Sequence, residues 1–423
     1  MPPIAYPLAA WATSLVPTPG DLELADRSLL DVLAVTVAAR SDPLRSLTLA
    51  GELPEAARWA ALGHVLDFDD LHMESTAHVS VVCVPAVLAA GSAVGPAAGG
   101  GARAYLAAAG VMARLGAALG WSHYRRGWHA TCTAGAPAAA VGAAVALGLD
   151  LDGIVRAMAL AVPAAGGVQR AFGSAAKSLQ VGFAADAGVR AARLAAAGAS
   201  ADPAALDQWF ELLGGDRGAL EKALEEAEPA VPGGLAIKLF PCCYANQRPI
   251  AAVRQLLEPS APVPPLELEE VERIVVQTPA CTLQPLLHAR PRSGLEGKFS
   301  LEYAVAATLA DGWPGFESFT DQAVQRPAVQ DLLRRVEVGT SAGGEGLLWG
   351  QFEVELRLRG GSVRRASVAL PPGAPGRPPT PQELWGKLVA CAGGEAEAAW
   401  LQAQTWDSAP QALREALAAA DGA

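Results

Sequence analysis

Apolar residues recur at three- and four-residue intervals through most of the first 258 positions, broken by short Gly/Pro stretches. The spacing predicts helices over 22–39, 55–67, 80–94, 102–119, 132–147, 151–161, 181–197 and 249–257. After the Pro-rich stretch 259–265 the period changes. A β-branched run at 271–277, a second at 335–339, and two more at 352–358 and 363–370 flanking Gly360-Gly361 predict strands, the last two a hairpin. Within this part 298–311 reads as helix. Thr380-Pro-Gln-Glu383 supplies an N-cap, a proline at the first helical position and an N3 glutamate. The stretch 395–420 returns to Ala/Glu/Leu-rich helix. The pattern therefore predicts a mainly α protein with an α+β lid: a large all-helical domain built from both chain ends, 1–258 and 395–423, and an inserted α+β domain over 259–394. No internal repeat at a solenoid period is present.

Composition sharpens this picture. The 423 residues suffice for two or three domains. The 51% hydrophobic share is inflated by alanine and only 6% is aromatic, so closely packed helices with small residues at their contacts are expected. A formal charge of -11 argues against non-specific nucleic-acid binding, which needs a basic surface. An anionic substrate would need a local positive exception. The N-terminal Met1-Pro-Pro-Ile-Ala-Tyr-Pro7 lacks the basic stretch and continuous apolar core of a secretory signal, and 130–149 is too weakly hydrophobic for a bilayer span, so a cytoplasmic enzyme with no membrane segment is expected. The six cysteines lack the spacing of a zinc site or a disulfide scaffold and read as reduced, with Cys242 and Cys243 as small buried thiols in a tight turn.

Against this background, rare polar residues stand out. Five of the six histidines lie between His64 and His129, and the chain has only five lysines. The first constellation is His64-Val-Leu-Asp67-Phe-Asp-Asp70 with His78 beyond it. At helical spacing His64, Asp67 and Leu71 share a face and Asp70 lies one turn from Asp67. A carboxylate beside a histidine orients the ring and holds its protonation state; the plainer reading is a helix C-terminus with capping carboxylates. The HxxDxxD spacing is a weak metal signal without an HExxH motif, facial triad or cysteine pair to support it, and no metal is assigned. The second constellation, 121–131, places His129 at a helix N-terminus, which favours an anion and disfavours imidazolium; the alternative is an ordinary surface turn. The third, Phe172-Gly-Ser-Ala-Ala-Lys177-Ser-Leu-Gln180, sets a lysine ahead of a helix start, and 238–247 repeats that arrangement with Lys238. Convergence of these helix starts would make a pocket for a polycarboxylate.

Taken in order, His64-Val-Leu-Asp-Phe-Asp-Asp70, Arg126-Gly-Trp-His-Ala-Thr131, Ala176-Lys177, Lys238-Leu-Phe-Pro-Cys242 and Lys298-Phe-Ser-Leu-Glu-Tyr303 resemble the MmgE/PrpD family over nearly the whole chain. This family includes 2-methylcitrate dehydratase, cis-aconitate decarboxylase and iminodisuccinate epimerase. The resemblance implies a helical domain formed from both chain ends, an inserted lid, a homodimer, and chemistry without cofactor or metal. By motif position it implies Asp67, His78, His129, Lys177, Lys238 and Tyr303 as the active-site group; Asp67, His78, His129, Lys177 and Tyr303 are expected to be catalytic, with Asp70, Lys238 and Gln247 binding a small polycarboxylate substrate. On the residues alone Tyr303 would be a core aromatic.

The expected activity is elimination of water from a hydroxy-polycarboxylate, with epimerisation, decarboxylation or a non-catalytic member of the family as alternatives. Three positions depart from the family pattern. Leu71 stands where a polar residue often occurs, Gln247 where a histidine commonly follows the Cys-Cys turn, and Val79 rather than proline follows His78. Glutamine cannot serve as a base at neutral pH. These changes suggest a smaller or less charged substrate, recruitment to another pathway, or impaired catalysis.

Overall fold

In the computed structural model, which describes residues 2–92, 100–225, 229–258 and 266–418, the chain divides into two units. The first comprises Met1–Arg170, Ala175–Ala236 and Thr380–Ala423, and the second comprises Ala171–Ser174 with Ile237–Pro379. These boundaries differ from those expected at 258/259 and 394/395, and packing explains both shifts. The Gln247–Leu257 helix turns Ile250, Val253 and Leu256 into the same core as strand residues Val271, Ile274 and Val276, so it belongs with the sheet. The Pro381–Ala392 helix packs on Pro19–Ala38, to which Lys387 is tied through Asp31 at 2.6 Å. The Pro-rich stretch 259–265 lies outside the described residues, as do the ends of the helices expected to reach 94 and 420.

In the first unit, Ser80–Gly91 and Gly135–Ala146 are apolar all round and almost wholly buried, the signature of core helices. Glu55–Val65, Leu151–Ala161 and Ala175–Ala196 pack around them, the last touching all four of the others. Alanine and glycine bring these axes close together. A Cβ added at Gly188 would lie 2.4 Å from the Cβ of Ala139 and 2.5 Å from the Ala140 backbone nitrogen. This close crossing sets where the first turn of Ala175–Ala196 sits, and that turn carries Lys177. Gly100–Arg125 is long and apolar enough to cross a membrane by composition, but its residues are largely buried in this unit. It breaks at Gly120 (φ 67°, ψ -174°), so Trp121–Arg125 forms a separate turn.

Several helix limits differ from the periodicity, each for a local reason. Ala175–Ala196 begins six residues before 181, because the Gly173-Ser174 bend ends the preceding turn and Ala175–Gln180 can all be helical. Pro19–Ala38 begins at a capping box in which Thr18 and Asp21 exchange hydrogen bonds. The 395–420 stretch is two helices, Glu395–Gln402 and Ala409–Ala418. Short helices at Ala5–Ser14, Pro43–Ala50, Ala205–Leu212 and Arg217–Glu225 were not anticipated.

The second unit is built on a four-stranded sheet, β1 (Val271–Pro279), β2 (Val336–Ser341), β3 (Phe352–Leu358) and β4 (Val363–Val368), in the order β2-β1-β3-β4. β1 and β2 are parallel with Ile274 opposite Val336, and their crossover carries helices Leu301–Asp311 and Pro327–Arg334. β3 and β4 form the expected hairpin, with Phe352 opposite Val368 and Gly361 at φ 81° in the turn. The alternating buried residues Phe352, Val354, Leu356 and Leu358 face the helical side.

Substituting Gly188 with Val should overpack the crossing with Gly135–Ala146. The expected loss of about 1–3 kcal/mol exceeds the ~1 kcal/mol that a helical glycine concedes to other residues, and urea unfolding at fixed pH measures it.

Candidate active site

The chain reaches the site through a helix end. Glu55–Val65 closes with His64 in its last turn, and Asp67 then takes a left-handed backbone (φ 52°) that aspartate tolerates better than most residues. This turn cancels the helical register on which His64, Asp67 and Leu71 would share a face. Asp69, rather than Asp70, swings back to His64, with its Oδ2 at 2.9 Å from Nδ1. The same oxygen lies 2.9 Å from His78 Nδ1. Thr131 fixes the approach of His78 by accepting its backbone N–H at 3.0 Å, which joins the Gly-Trp-His-Ala-Thr segment to the Asp-Phe-Asp-Asp loop.

Lys177, in the first turn of Ala175–Ala196, closes the group. Its Nζ lies 2.5 Å from His64 Nε2 and donates to Asp67 Oδ1 at 3.3 Å. His78 Nε2 stands 3.7 Å from that carboxylate oxygen. The His129 ring lies with its centroid 5.8 Å from His64 and 6.4 Å from His78, and its Nδ1 is 2.9 Å from Gln180 Nε2 and 3.3 Å from Cys132 Sγ. All these residues are buried except Gln180, which is half-buried. A cation at a helix N-terminus is disfavoured by the macrodipole, so the Asp67 carboxylate is the compensation that holds Lys177 there.

Burial is the largest influence on both His64 and His129. It drives their pKa values down, His129 well below the ordinary 6.5, with Lys177 pushing the same way; both rings are therefore neutral at neutral pH. For Asp69 burial alone would raise the pKa, but the two adjacent imidazoles outweigh it and hold the carboxyl well below 3.8. An ionised Asp69 accepts from His64 Nδ1–H, which leaves His64 Nε2 to accept from the Lys177 ammonium. Among the described residues His64, Asp67, Asp69 and His78 place possible metal-ligand atoms within 4.8 Å of one another. The Lys177 Nζ is bonded to two of these four, His64 and Asp67.

Of the eight positions expected to act, Asp67, His78, His129 and Lys177 come together here. Asp70 faces elsewhere: it accepts from the Ser80 N–H at 3.1 Å and from the Ser80 hydroxyl, which also meets the Tyr105 hydroxyl at 2.7 Å. Burial, with Asp31 nearby, pushes Asp70 up to about 7. Lys238, Gln247 and Tyr303 belong to the second unit. There the Gln247 amide accepts from the Leu239 and Phe240 N–H groups and donates to the Phe240 carbonyl, shaping the Lys238–Cys242 turn. The Tyr303 hydroxyl donates to the Ser318 carbonyl, and burial pushes it up to about 12. Lys238 is fully buried.

His64, Asp69 and Gln180 also join the group, and the sequence alone assigns no role to Asp69 or Gln180. Gln180 carried a usable signal, since it lies three residues beyond Lys177 and thus on the same helical face. Asp69 carried none, because its position depends on the Asp67 turn. Lys387 was also missed; its Nζ donates to the Phe68 carbonyl at 2.8 Å while paired with Asp31, anchoring the loop from behind. All six cysteines are free thiols.

Two outcomes follow for stability. His64, His72, His123 (to about 4) and His129 all have lowered pKa values, so the unfolded chain binds more protons below 6.5, and their contribution is complete above 6.5 and lost as pH falls. Asp70, raised to about 7, acts oppositely, its contribution fading as pH rises from 3.8 through 7. The histidines dominate between pH 5 and 6.5, so the unfolding free energy should rise across that window; His123→Asn should reduce the slope by about 0.7–1.2 kcal/mol per pH unit and Asp70→Asn should steepen it, as read by denaturant titrations at each pH. Lys387→Met, which breaks a buried ion pair, should cost about 3–5 kcal/mol in the same assay at pH 7.

The MmgE/PrpD N-terminal domain model matches residues 53–215 and the MmgE/PrpD C-terminal domain model matches residues 240–407. A cis-aconitate decarboxylase of Aspergillus terreus is 28% identical over 424 residues, covering 88% of this chain and 86% of that protein. A cis-aconitate decarboxylase of Mus musculus is 30% identical over 224 residues, covering 50% of this chain and 44% of its own length. The buried Asp-Phe-Asp-Asp turn, His129 and Lys177 all fall within the first matched segment, and the chain belongs to the MmgE/PrpD family.

Proposed function

We propose that this protein is a cofactor-independent lyase that removes a carboxylate, as carbon dioxide, from a small unsaturated tricarboxylate of the cis-aconitate type. The observation that carries the reading is the Lys177 ammonium, buried and bonded to His64 Nε2 and Asp67 Oδ1, with two further imidazoles beside it. An ammonium and imidazole donors preorganised in one buried cluster can stabilise negative charge that develops on a bound carboxylate during reaction. The names of the similar proteins favour decarboxylation over the other reactions of the family.

The reaction breaks one carbon–carbon bond. The electron pair of the departing carboxylate passes to the retained carbon skeleton and is delocalised onto a neighbouring carboxylate. Lys177 stabilises that developing charge, which preorganised donors in a dry site do for about 2.7–4 kcal/mol each. A proton then adds to carbon, so one proton is consumed for each carbon dioxide released. His78, with a carboxylate oxygen near each ring nitrogen, is the proton donor, a role contributing on the order of 10²- to 10⁴-fold.

Elimination of water from a hydroxy-polycarboxylate is the second reading. It is favoured by the proximity of Asp67, as a base, to His78, as an acid, since removal of a proton and protonation of a leaving hydroxyl need two such groups.

Proton NMR in D2O with cis-aconitate, citrate, 2-methylcitrate and amino- or imino-dicarboxylates tests both. Decarboxylation should consume cis-aconitate with release of carbon dioxide and one deuterium incorporated per product. New vinyl signals from citrate or 2-methylcitrate without carbon loss would replace this reading with the hydro-lyase, and α-deuteration without change of skeleton would replace it with an epimerase. Lys177→Ala should reduce turnover by about 10²- to 10³-fold; full turnover in that variant would remove the charge-stabilising role.

A further inference from the structure

We infer that Gln180 is a positioning residue that fixes the tautomer of His129, holding Nδ1 as a hydrogen-bond acceptor and the ring proton on Nε2. His129 then meets the substrate as a neutral donor rather than as a base. The inference rests on the lyase reading for its consequence in catalysis, but not for the tautomer itself.

The Val168 backbone N–H can only donate, and it donates to Gln180 Oε1 at 2.9 Å. This identifies the oxygen of the Gln180 amide, so the other end of the amide is the NH2 group. That NH2 lies 2.9 Å from His129 Nδ1 and also donates to the Val168 carbonyl at 3.3 Å. A donor facing Nδ1 requires a lone pair there. A neutral imidazole has one N–H, and it must sit on Nε2.

The backbone locks this arrangement. His129 N–H donates to the Gly167 carbonyl at 3.0 Å and Gln169 N–H to the Gly127 carbonyl at 2.8 Å, so 167–169 runs as a short ribbon beside 127–129. Gly167 has φ 112°, and a Cβ there would fall 2.6 Å from that of Cys132 and 3.2 Å from Gln180 Oε1, so only glycine lets the ribbon approach this closely. The Cys132 thiol, 3.3 Å from Nδ1, is kept protonated by burial and is compatible with the same lone pair.

Other groups around the ring agree. Lys177, His64 and His78 disfavour a second proton on His129, while Asp67 favours one and is outweighed by burial and those neighbours. His64 carries the opposite tautomer, with its proton on Nδ1 toward Asp69. The two neutral rings thus divide their roles: His64 takes a hydrogen bond from Lys177, and His129 gives one. A neutral imidazole donor suits an oxyanion that forms during reaction, because it polarises without adding a fixed charge.

The test uses the full-length protein with ¹⁵N-labelled histidine, the His129 signals being assigned from a His129→Gln spectrum. Wild-type His129 should show an unprotonated Nδ1 and a protonated Nε2 at neutral pH. Gln180→Glu replaces the donor by a carboxylate acceptor and should move the proton to Nδ1; Gln180→Leu, which offers no partner, should give a mixture. With cis-aconitate, Gln180→Glu should lower kcat on the order of 10²-fold with little change in KM. A protonated Nδ1 in the wild type, or an unchanged tautomer in a folded Gln180→Glu, overturns the inference. Absence of turnover by the wild type on every acid would count against the lyase reading alone, since the tautomer is read without substrate.

Discussion

A buried ammonium must be compensated, and in the first unit nearly every feature of the site follows from compensating Lys177. Its helix begins with that cation at the end of the macrodipole that repels it. The Asp67 carboxylate and the His64 lone pair absorb the charge, and each needs support in turn. His64 can offer Nε2 only because Asp69 takes its Nδ1 proton. Asp67 can reach Lys177 only because the chain turns left-handed there. Buried ionic groups of this kind contribute little net stability, and removing one partner is costly. Such a network is better understood as a device for holding charge ready than as a source of fold stability.

A second buried pair stands behind the first. Lys387, from a helix near the C-terminal end, is bonded to Asp31 and to the Phe68 carbonyl. Its ammonium also lies 4.2 Å from the centre of the Phe68 ring. Residues from two distant parts of the chain, Asp31 and Lys387, therefore hold the loop that carries Phe68. Asp70, the last residue of that loop, is directed into the helix Ser80–Gly91 through Ser80, with its carboxyl pushed up to about 7. Alternate carboxylates thus divide the work, with Asp67 and Asp69 serving the polar cluster and Asp70 anchoring the next helix.

Much of the architecture was legible because it rests on local rules. The hairpin around Gly360-Gly361 followed from period-two alternation and a turn that tolerates positive φ, and the cap at Thr380 followed from side chains that satisfy orphan amides. Boundaries were less legible. The Gln247–Leu257 helix looks like its predecessors in sequence, yet its apolar face fits a sheet that forms only later in the chain. Gly188 illustrates the same limit from the other side: small residues forecast close helix contacts, but not that this one meets Ala139 and Ala140.

The fold class, the family and the residue types gathered at the candidate site were legible in the chain alone, because periodicity, capping and motif order are properties of neighbouring positions. Tertiary structure alone decided which of those residues meet. It chose Asp69 over Asp70 for His64, because one left-handed residue at Asp67 reset the register of everything after it. It also turned Gln247 to the backbone of its own turn and Gln180 to His129. Proton positions are decided at that level too, since a tautomer depends on which partner a ring nitrogen faces in three dimensions, and no spacing along the chain encodes it.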